Sequence, residues 1–566
     1  MAVKHQKHRV TTAPQVVARA SFPDVAAFLE RHARALAFAL VILATVRIVA
    51  TYTVFNHTFD EPAHIACGTE WLADHVYKWE DQHPPLSRVA VSLGPYLMGA
   101  RPQGTPRINI YAMSHEGVDI LYAGHHYDLW LALARLGNLP FFWVACLVIY
   151  QWGKRFGTAV GVASLFVFSF LPPVLAHAAL ATTDMALTAF LGAAFLTGLI
   201  WIEKPSITHA VWFGIAMALA FLSKFSTLVY FPAAAVFVFA WYYFARRPKL
   251  EVLIAASRER LPSLGLAVLI ALPIIWAMYR FSFGTPLGAN FRMPAPEIYN
   301  GIQEVLKHNR EGHHGYLLGQ LSKNGFLMFY PVALLVKTPL AVLLLFGIGV
   351  VQLFKKRELF HNGWIALCFS AGIMVPALAS HINIGIRHIL PIYFGIALIS
   401  AAALLWLLDP ARTIKWQWRG ASLLAAWLAV SSLVSHPDYL PYFNELAGGH
   451  PEDILVDSDL DWGQDTKRLA KRLQEVDAKE VTFGTLLIAD LEKEHGFPPN
   501  QKEMDVMNPS PGWNAVSMTN WKEYRFGLVD KLPEYKVWPE RYPPLERVGK
   551  SILLYYFDPA SMPRQP

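Results

Sequence analysis

The stretch of this 566-residue chain best equipped for chemistry opens with Phe59-Asp60-Glu61-Pro62-Ala63-His64. Pro62 suits the first turn of a helix, where a missing N–H leaves no bond unmade, so Asp60 or Glu61 takes the capping position. A helix cap is the ordinary explanation for such a pair. The functional one is a carboxylate kept ionised by the positive helix end and placed to take a proton from an incoming hydroxyl. His64 stands four residues beyond Asp60, as an orienting partner, a metal ligand or a purely structural side chain. Some twenty residues later comes Trp79-Glu80-Asp81-Gln82-His83-Pro84-Pro85-Leu86-Ser87-Arg88, in which two prolines fix a rigid turn ahead of the apolar run Val89 to Met98. A divalent cation held by Asp60 and His83 fits the residue types, but their spacing does not require one.

The elements that must position these residues belong to a membrane. The chain is 54% hydrophobic and 16% charged, against roughly 25% charged in soluble proteins, and its mean hydropathy is +0.31. A net charge of +7 is too small for this length to argue for a nucleic-acid partner. The three cysteines, Cys67, Cys146 and Cys368, lie far apart, which excludes a disulfide framework. A bilayer core of about 30 Å needs roughly 20 apolar helical residues per crossing. Eleven such stretches are expected: 35–54, 129–150, 158–178, 185–202, 209–223, 228–244, 262–283, 336–354, 362–380, 389–408 and 420–434.

Residues 1–34, with Lys4, Lys7, Arg9, Arg19, Arg31 and Arg34, form a basic cytoplasmic N-terminus ahead of an uncleaved anchor. Alternation then places Lys154 and Arg155, the cations between Arg246 and Arg260, Lys355 to Arg357, and Arg412, Lys415 and Arg419 inside as well, as the positive-inside rule requires. Loops 55–128 and 284–335 and the tail 435–566 are left outside, flanking a transmembrane domain of residues 35–434. Spans five and six are short and joined only by Lys224 to Thr227, so that turn lies below the outer surface. The tail mixes helix candidates at 464–476 with strand-like runs at 453–457, 480–488, 513–518 and 551–557, which makes it a small external α/β domain. Within it, Asp457-Ser458-Asp459-Leu460-Asp461 is better read as a turn with acidic caps than as a calcium loop, since Trp462 and Arg468 stand where glycine and glutamate would be needed.

The Asp-Glu pair after the first span, followed in the same loop by Asp-x-His-Pro-Pro-Leu, resembles the protein O-mannosyltransferases and their bacterial relatives, family 39 of the GT-C superfamily of glycosyltransferases. Thr182-Thr183-Asp184, Lys337-Thr338-Pro339, Ile386-Arg387-His388-Ile389-Leu390-Pro391, Tyr442-Phe443-Asn444-Glu445 and Leu460-Asp461-Trp462-Gly463-Gln464-Asp465 extend the likeness over nearly the whole chain, the last two to bacterial phospholipid-carrier-dependent members. The resemblance implies a polytopic α-helical GT-C membrane protein of about eleven transmembrane helices. It implies transfer of a sugar, a hexose such as mannose, from a polyprenyl-phosphate donor to a hydroxyl of an acceptor protein or glycolipid, with inversion and without a nucleotide. The setting is a multi-pass protein of the bacterial inner (plasma) membrane with its site facing the periplasm. Asp60 matches the family's essential acid, proposed as general base, and Asp184 matches a second acidic position. Two departures matter: loop 284–335 lacks the large inserted domain of the eukaryotic enzymes, and the histidine after Asp-Glu falls one position later than in them.

A lipid phosphate leaving at the edge of a low-dielectric layer needs cations fixed in advance. Lys224, Lys337 and Arg387 are the candidates for donor phosphate binding, since a cation near a span calls for a reason; snorkelling to headgroups is the alternative for each. Glu61 joins Asp60 and Asp184 in the catalytic set, and His83, Arg88 and His64 are assigned to the sugar or acceptor. Arg47 and Arg135 pair with Asp60 or Asp184 or support packing, with packing favoured, and His313 and His314 face the sugar or solvent. A transporter or flippase of lipid-linked sugars would also need many spans and buried cations. It would not need an external carboxylate placed as a base, and no internal repeat is evident.

Overall fold

The computed structural model describes residues 23–108, 111–355, 361–411, 415–485, 487–489, 491–498, 504–505, 507–529 and 537–560. Most of the basic N-terminus, with Lys4, Lys7, Arg9 and Arg19, lies outside the described residues, as do Lys356, Arg357 and Arg412. Each of the eleven apolar stretches is mostly helix, although the first stops at Val49 and the seventh at Met278. Among the described residues, five helices are long and apolar enough to cross a membrane singly, and three bent pairs qualify when each pair is taken together. Proline explains two of the bends: Pro172-Pro173 restarts the third stretch at 69°, and Pro339 separates Phe329–Lys337 from Leu340–Lys355 at 114°. The seventh stretch begins earlier than expected, since Leu250–Met278 is one helix that carries Arg258 and Arg260 in its first turns instead of in a loop.

The first loop is mostly helical: Glu61–Ala73 packs on Pro85–Leu97 and on Ala112–Tyr122, and the latter two pack on Tyr127–Gly153. Close approach fixes their geometry, because a Cβ on Gly68 would sit 2.0 Å from the carbonyl oxygen of Arg88. Arg47 supports packing, as expected: its guanidinium donates to Tyr439 and to the Ser432 carbonyl and hydroxyl, tying the first long helix to the last.

Beyond Lys415–Val434 the tail builds a four-stranded sheet. Val481–Gly484 runs parallel to Gly512–Ser517, which pairs antiparallel with Ile552–Phe557, and Glu546–Val548 closes the edge. Three of the four strand-like runs thus pair, and Thr466–Glu475 is the expected helix. Residues 453–457 do not form a strand. Asp457 adopts a left-handed backbone (φ +55°) that opens the short helix Asp457–Asp459, and this segment is held against the Ile386–Ile392 turn instead of a sheet neighbour. The expected acidic capping of the following helix is absent too. Asp465 occupies the cap position, but its carboxylate accepts from Ser551 and the Lys550 backbone across the domain.

Candidate active site

Two helix starts carry aspartates that do not cap them. Asp60 holds the N-cap position of Glu61–Ala73 and Asp184 is the first residue of Asp184–Glu203, yet neither helix receives a side-chain cap bond. Both carboxylates turn instead to cations from other elements. Arg387, in the 3-10 turn Ile386–Ile392, donates from Nη1 to Asp60 Oδ2 at 2.7 Å and lies 3.8 Å from Asp184 Oδ2. Lys224, in the turn between Ile207–Ser223 and Thr227–Arg246, donates from Nζ to Asp184 Oδ1 at 2.7 Å. Capping and snorkelling are therefore the wrong explanations for these four residues. The chain folds so that two acids and two bases, 327 residues apart at the extreme, form one alternating row.

Exposure differs along that row. The Asp184 side chain is fully buried while that of Asp60 is 29% exposed, so only Asp60 is open to an approaching hydroxyl. The Trp462 ring covers the Arg387 guanidinium at 4.1 Å, and the Trp462 carbonyl accepts from the Phe59 backbone at 3.1 Å. The tail is thereby stitched to the loop that bears Asp60. A second stitch joins 384–387 to 457–459: Ile386 N–H donates to Asp459 Oδ1 at 3.0 Å, and Ser458 Oγ donates to the Ile384 carbonyl. Gly385 is required between them, because at φ +148° its absent Cβ would lie 2.2 Å from Ser458 Oγ.

Glu61 is not placed as a base. Its two oxygens accept from Arg135 Nε and Nη2, both at 2.9 Å, from the Thr58 backbone at 2.8 Å and from the Ala181 backbone at 2.8 Å, with the carboxylate fully buried. Burial opposes its charge, but Arg135 beside it holds the carboxyl below the usual carboxylate range. Arg135 accordingly pairs with Glu61 and with neither aspartate, and the pair fixes the turn that presents Asp60. Glu61→Ala leaves a buried guanidinium unpaired and lowers stability by about 3–5 kcal/mol. Thermal unfolding in detergent measures this, and the double variant Glu61→Leu/Arg135→Met recovers only part of it, because the Thr58 and Ala181 N–H groups and the Tyr52, Phe55 and Asn56 carbonyls are left unpaired.

Lys337 also falls outside the row. Its ammonium is buried, donates to the carbonyls of Leu440 (2.8 Å) and Asp459, and lies 4.3 Å from the Phe443 ring. It braces the tail segment behind Arg387, a part that its place at the start of a span could not reveal.

His83 reaches the row electrostatically. Burial first, and then the Lys224 ammonium, push its imidazolium down to about 4, with Asp60 and Asp184 acting the other way, so the ring is neutral at pH 7. Nδ1 lies 3.3 Å from Glu80 Oε1 and the side chain is 24% exposed. Arg88 and His64 stand beneath it: Arg88 pairs with Glu80 and donates from Nε to His64 Nδ1 at 3.1 Å. Arg88 is 1% exposed and His64 4%, so both lie buried behind His83. Burial lowers the His64 imidazolium as well. Among the described residues, no three His, Cys, Asp or Glu side chains are grouped to hold a metal ion, and Asp60 takes Arg387, not His83, as its partner.

His314 stands with Tyr316, Asn383, Asp457 and Glu523 around a crevice too narrow to admit a water molecule, whereas His313 is occupied with the His314 carbonyl. Sequence reading passed over Glu80 and Trp462 although both lie inside quoted motifs. It passed over Glu523 because nothing near that residue marks it.

Residues 133–276 match the family model for dolichyl-phosphate-mannose-protein mannosyltransferase. Among solved structures the chain is similar to ArnT from Cupriavidus metallidurans bound to undecaprenyl phosphate, with TM-score 0.50, 13% identity, and 91% of this chain covering 97% of that one. The same protein in its apo state matches with TM-score 0.48, 14% identity and coverages of 92% and 98%. An Archaeoglobus fulgidus oligosaccharyltransferase tethered to an acceptor peptide matches with TM-score 0.45, 12% identity and coverages of 80% and 58%. The curated proteins contain no match.

Proposed function

We propose that this chain, which has the fold of the GT-C superfamily glycosyltransferases, moves a hexose, mannose by the family likeness, from a polyprenyl phosphate to an acceptor hydroxyl on the outer face of a bacterial inner membrane. The observation that carries the reading is the row Asp60–Arg387–Asp184–Lys224: the exposed carboxylate of a base lies 2.7 Å from a cation able to clamp phosphate. Asp60 takes the acceptor proton, and the acceptor oxygen attacks the anomeric carbon from the face opposite the leaving group. The bond from that carbon to the phosphate oxygen breaks with its electron pair going to the phosphate, and the sugar inverts. Arg387 and Lys224 meet the charge that develops there, and Asp184 holds both cations in place. His83, neutral and oriented by Glu80, offers a hydrogen bond to the sugar or acceptor. The acceptor is a protein or a glycolipid.

The resting ion pair gives the donor a second task. An anionic phosphate that draws Arg387 toward itself releases Asp60 to act as base, so donor engagement precedes proton abstraction. The deciding assay uses purified protein in nanodiscs with radiolabelled polyprenyl-phosphate hexoses. Absence of transfer from every polyprenyl-phosphate hexose, with the protein folded, would remove the proposal.

Asp457 and Glu523 tune the same site. Burial pushes Asp457 up to about 7, against Arg387, and burial with Asp457 nearby pushes Glu523 up to about 8. Both carboxyls therefore lose their protons as pH rises through about 7–8, which adds negative charge near Arg387 and opposes the anionic donor. Donor KM therefore rises with pH through that range and levels off above it, and Glu523→Gln flattens the rise. Identical KM–pH profiles for the two proteins would detach the pair from the site.

A further inference from the structure

The connection after the Leu250–Met278 helix is anchored to the Pro296–Glu311 helix by Ser282 and Leu287 yet leaves its large side chains uncovered. Residues 281–294 form a hairpin, pinned by a two-rung ladder pairing Phe283 with Pro294 and Gly284 with Met293. Pro286 is buried, but the four large apolar side chains point outward: Phe281, Phe283, Leu287 and Phe291 are 59%, 54%, 78% and 51% exposed. Four such residues on so short a segment form a patch that a water-facing loop rarely shows.

The helix leading into the hairpin indicates what covers them. Leu264, Val268, Leu269, Leu272 and Trp276 are exposed along it, so the apolar surface continues without a break from the helix into Phe281. The apolar part of that helix runs from about residue 261 to 278, roughly 27 Å at 1.5 Å per residue, and so ends near the edge of a bilayer core. Aromatic groups of the kind that settle at headgroup level stand at this height. Trp71 Nε1 donates to the Met278 carbonyl, Trp276 Nε1 donates to the Ser282 carbonyl, and Arg280 stacks on Trp71 at 3.6 Å. Arg292, placed over Phe283 at 5.1 Å, adds a second cation where lipid phosphates would lie.

We propose that residues 281–294 are a membrane-surface hairpin, with Phe281, Phe283, Leu287 and Phe291 inserted among lipid headgroups and upper acyl chains. The side chain of Asn300 ties the hairpin to the site strip. Asn300 Oδ1 accepts from the Leu287 backbone at 2.8 Å, and Asn300 Nδ2 donates to Asp81 Oδ2 at 3.1 Å, two residues before His83. Insertion thus sets the height of the Glu80–His83 strip above the membrane.

The test replaces Leu287 with cysteine and labels it with an environment-sensitive fluorophore, since Cys67, Cys146 and Cys368 are buried. Phe283→Cys serves as an independent second position, and Lys479→Cys, on an 80% exposed side chain of the tail, as the aqueous reference. In phosphatidylcholine nanodiscs the label at 287 is expected to be quenched by lipids carrying a nitroxide at acyl carbon 5, more weakly by a nitroxide at carbon 12, and several-fold less than the reference by iodide. Iodide quenching equal to the reference with no nitroxide effect at both positions overturns the proposal. So does quenching by neither agent, which would mean that protein covers the hairpin.

Discussion

Asp60→Asn lowers the turnover of sugar transfer by about 10²–10⁴-fold, the usual contribution of a positioned general base, while donor affinity holds or improves. The direction of the second effect follows from the ion pair. Asparagine removes the charge that holds Arg387 Nη1 at 2.7 Å, so the guanidinium is freer to meet phosphate. A purely structural carboxylate would show a different pattern, with weaker donor binding and lower thermal stability alongside lost turnover. No neighbour can stand in for Asp60: Asp184 is fully buried, and the oxygens of Glu61 are taken by Arg135, Thr58 and Ala181. Single-turnover transfer with labelled donor, set beside equilibrium donor binding, separates the two patterns. Unchanged turnover in the variant would place the base elsewhere.

What the sequence could and could not disclose follows from which forces are local. Helix at the eleven apolar stretches was legible because about 20 apolar residues have few other ways to satisfy their backbone. Lys224 and Arg387 were legible because charge beside a span demands a reason, and Asp60 and Asp184 through the family likeness, but that these four meet without Lys337 was not. Between adjacent Asp60 and Glu61 the sequence could not choose. One faces the site and the other is buried because Arg135 and the Ala181 backbone, both distant in sequence, converge on Glu61. Lys337 carries the same charge at a similar place as Lys224, yet two tail carbonyls capture its ammonium. The tail itself was read by strand-like runs, which located three strands but gave no hint that residues 457–462 would lie against the Arg387 turn. That contact depends on side-chain bonds such as Asp459 to the Ile386 backbone and on the Trp462 ring, and periodicity carries no trace of either.

Arg387→Gln weakens donor binding by about 2–4 kcal/mol, roughly 30- to 1,000-fold, the range for losing one member of a buried charged contact. Lys224→Gln has the same sign and a smaller size, because Lys224 touches Asp184 alone whereas Arg387 lies within 3.8 Å of both carboxylates. Arg387→Lys falls between wild type and Arg387→Gln, since it keeps the charge but loses the planar fork and the stack on Trp462. These single changes do not by themselves separate a phosphate ligand from a counter-ion whose loss merely leaves Asp60 unpaired. The double variant Asp60→Asn/Arg387→Gln does. If Arg387 serves only to neutralise Asp60, removing both charges restores donor affinity to near the wild-type value. If it clamps the phosphate, the double variant binds donor as poorly as Arg387→Gln alone, because the missing interaction lies between protein and ligand and cannot be repaired from within the protein.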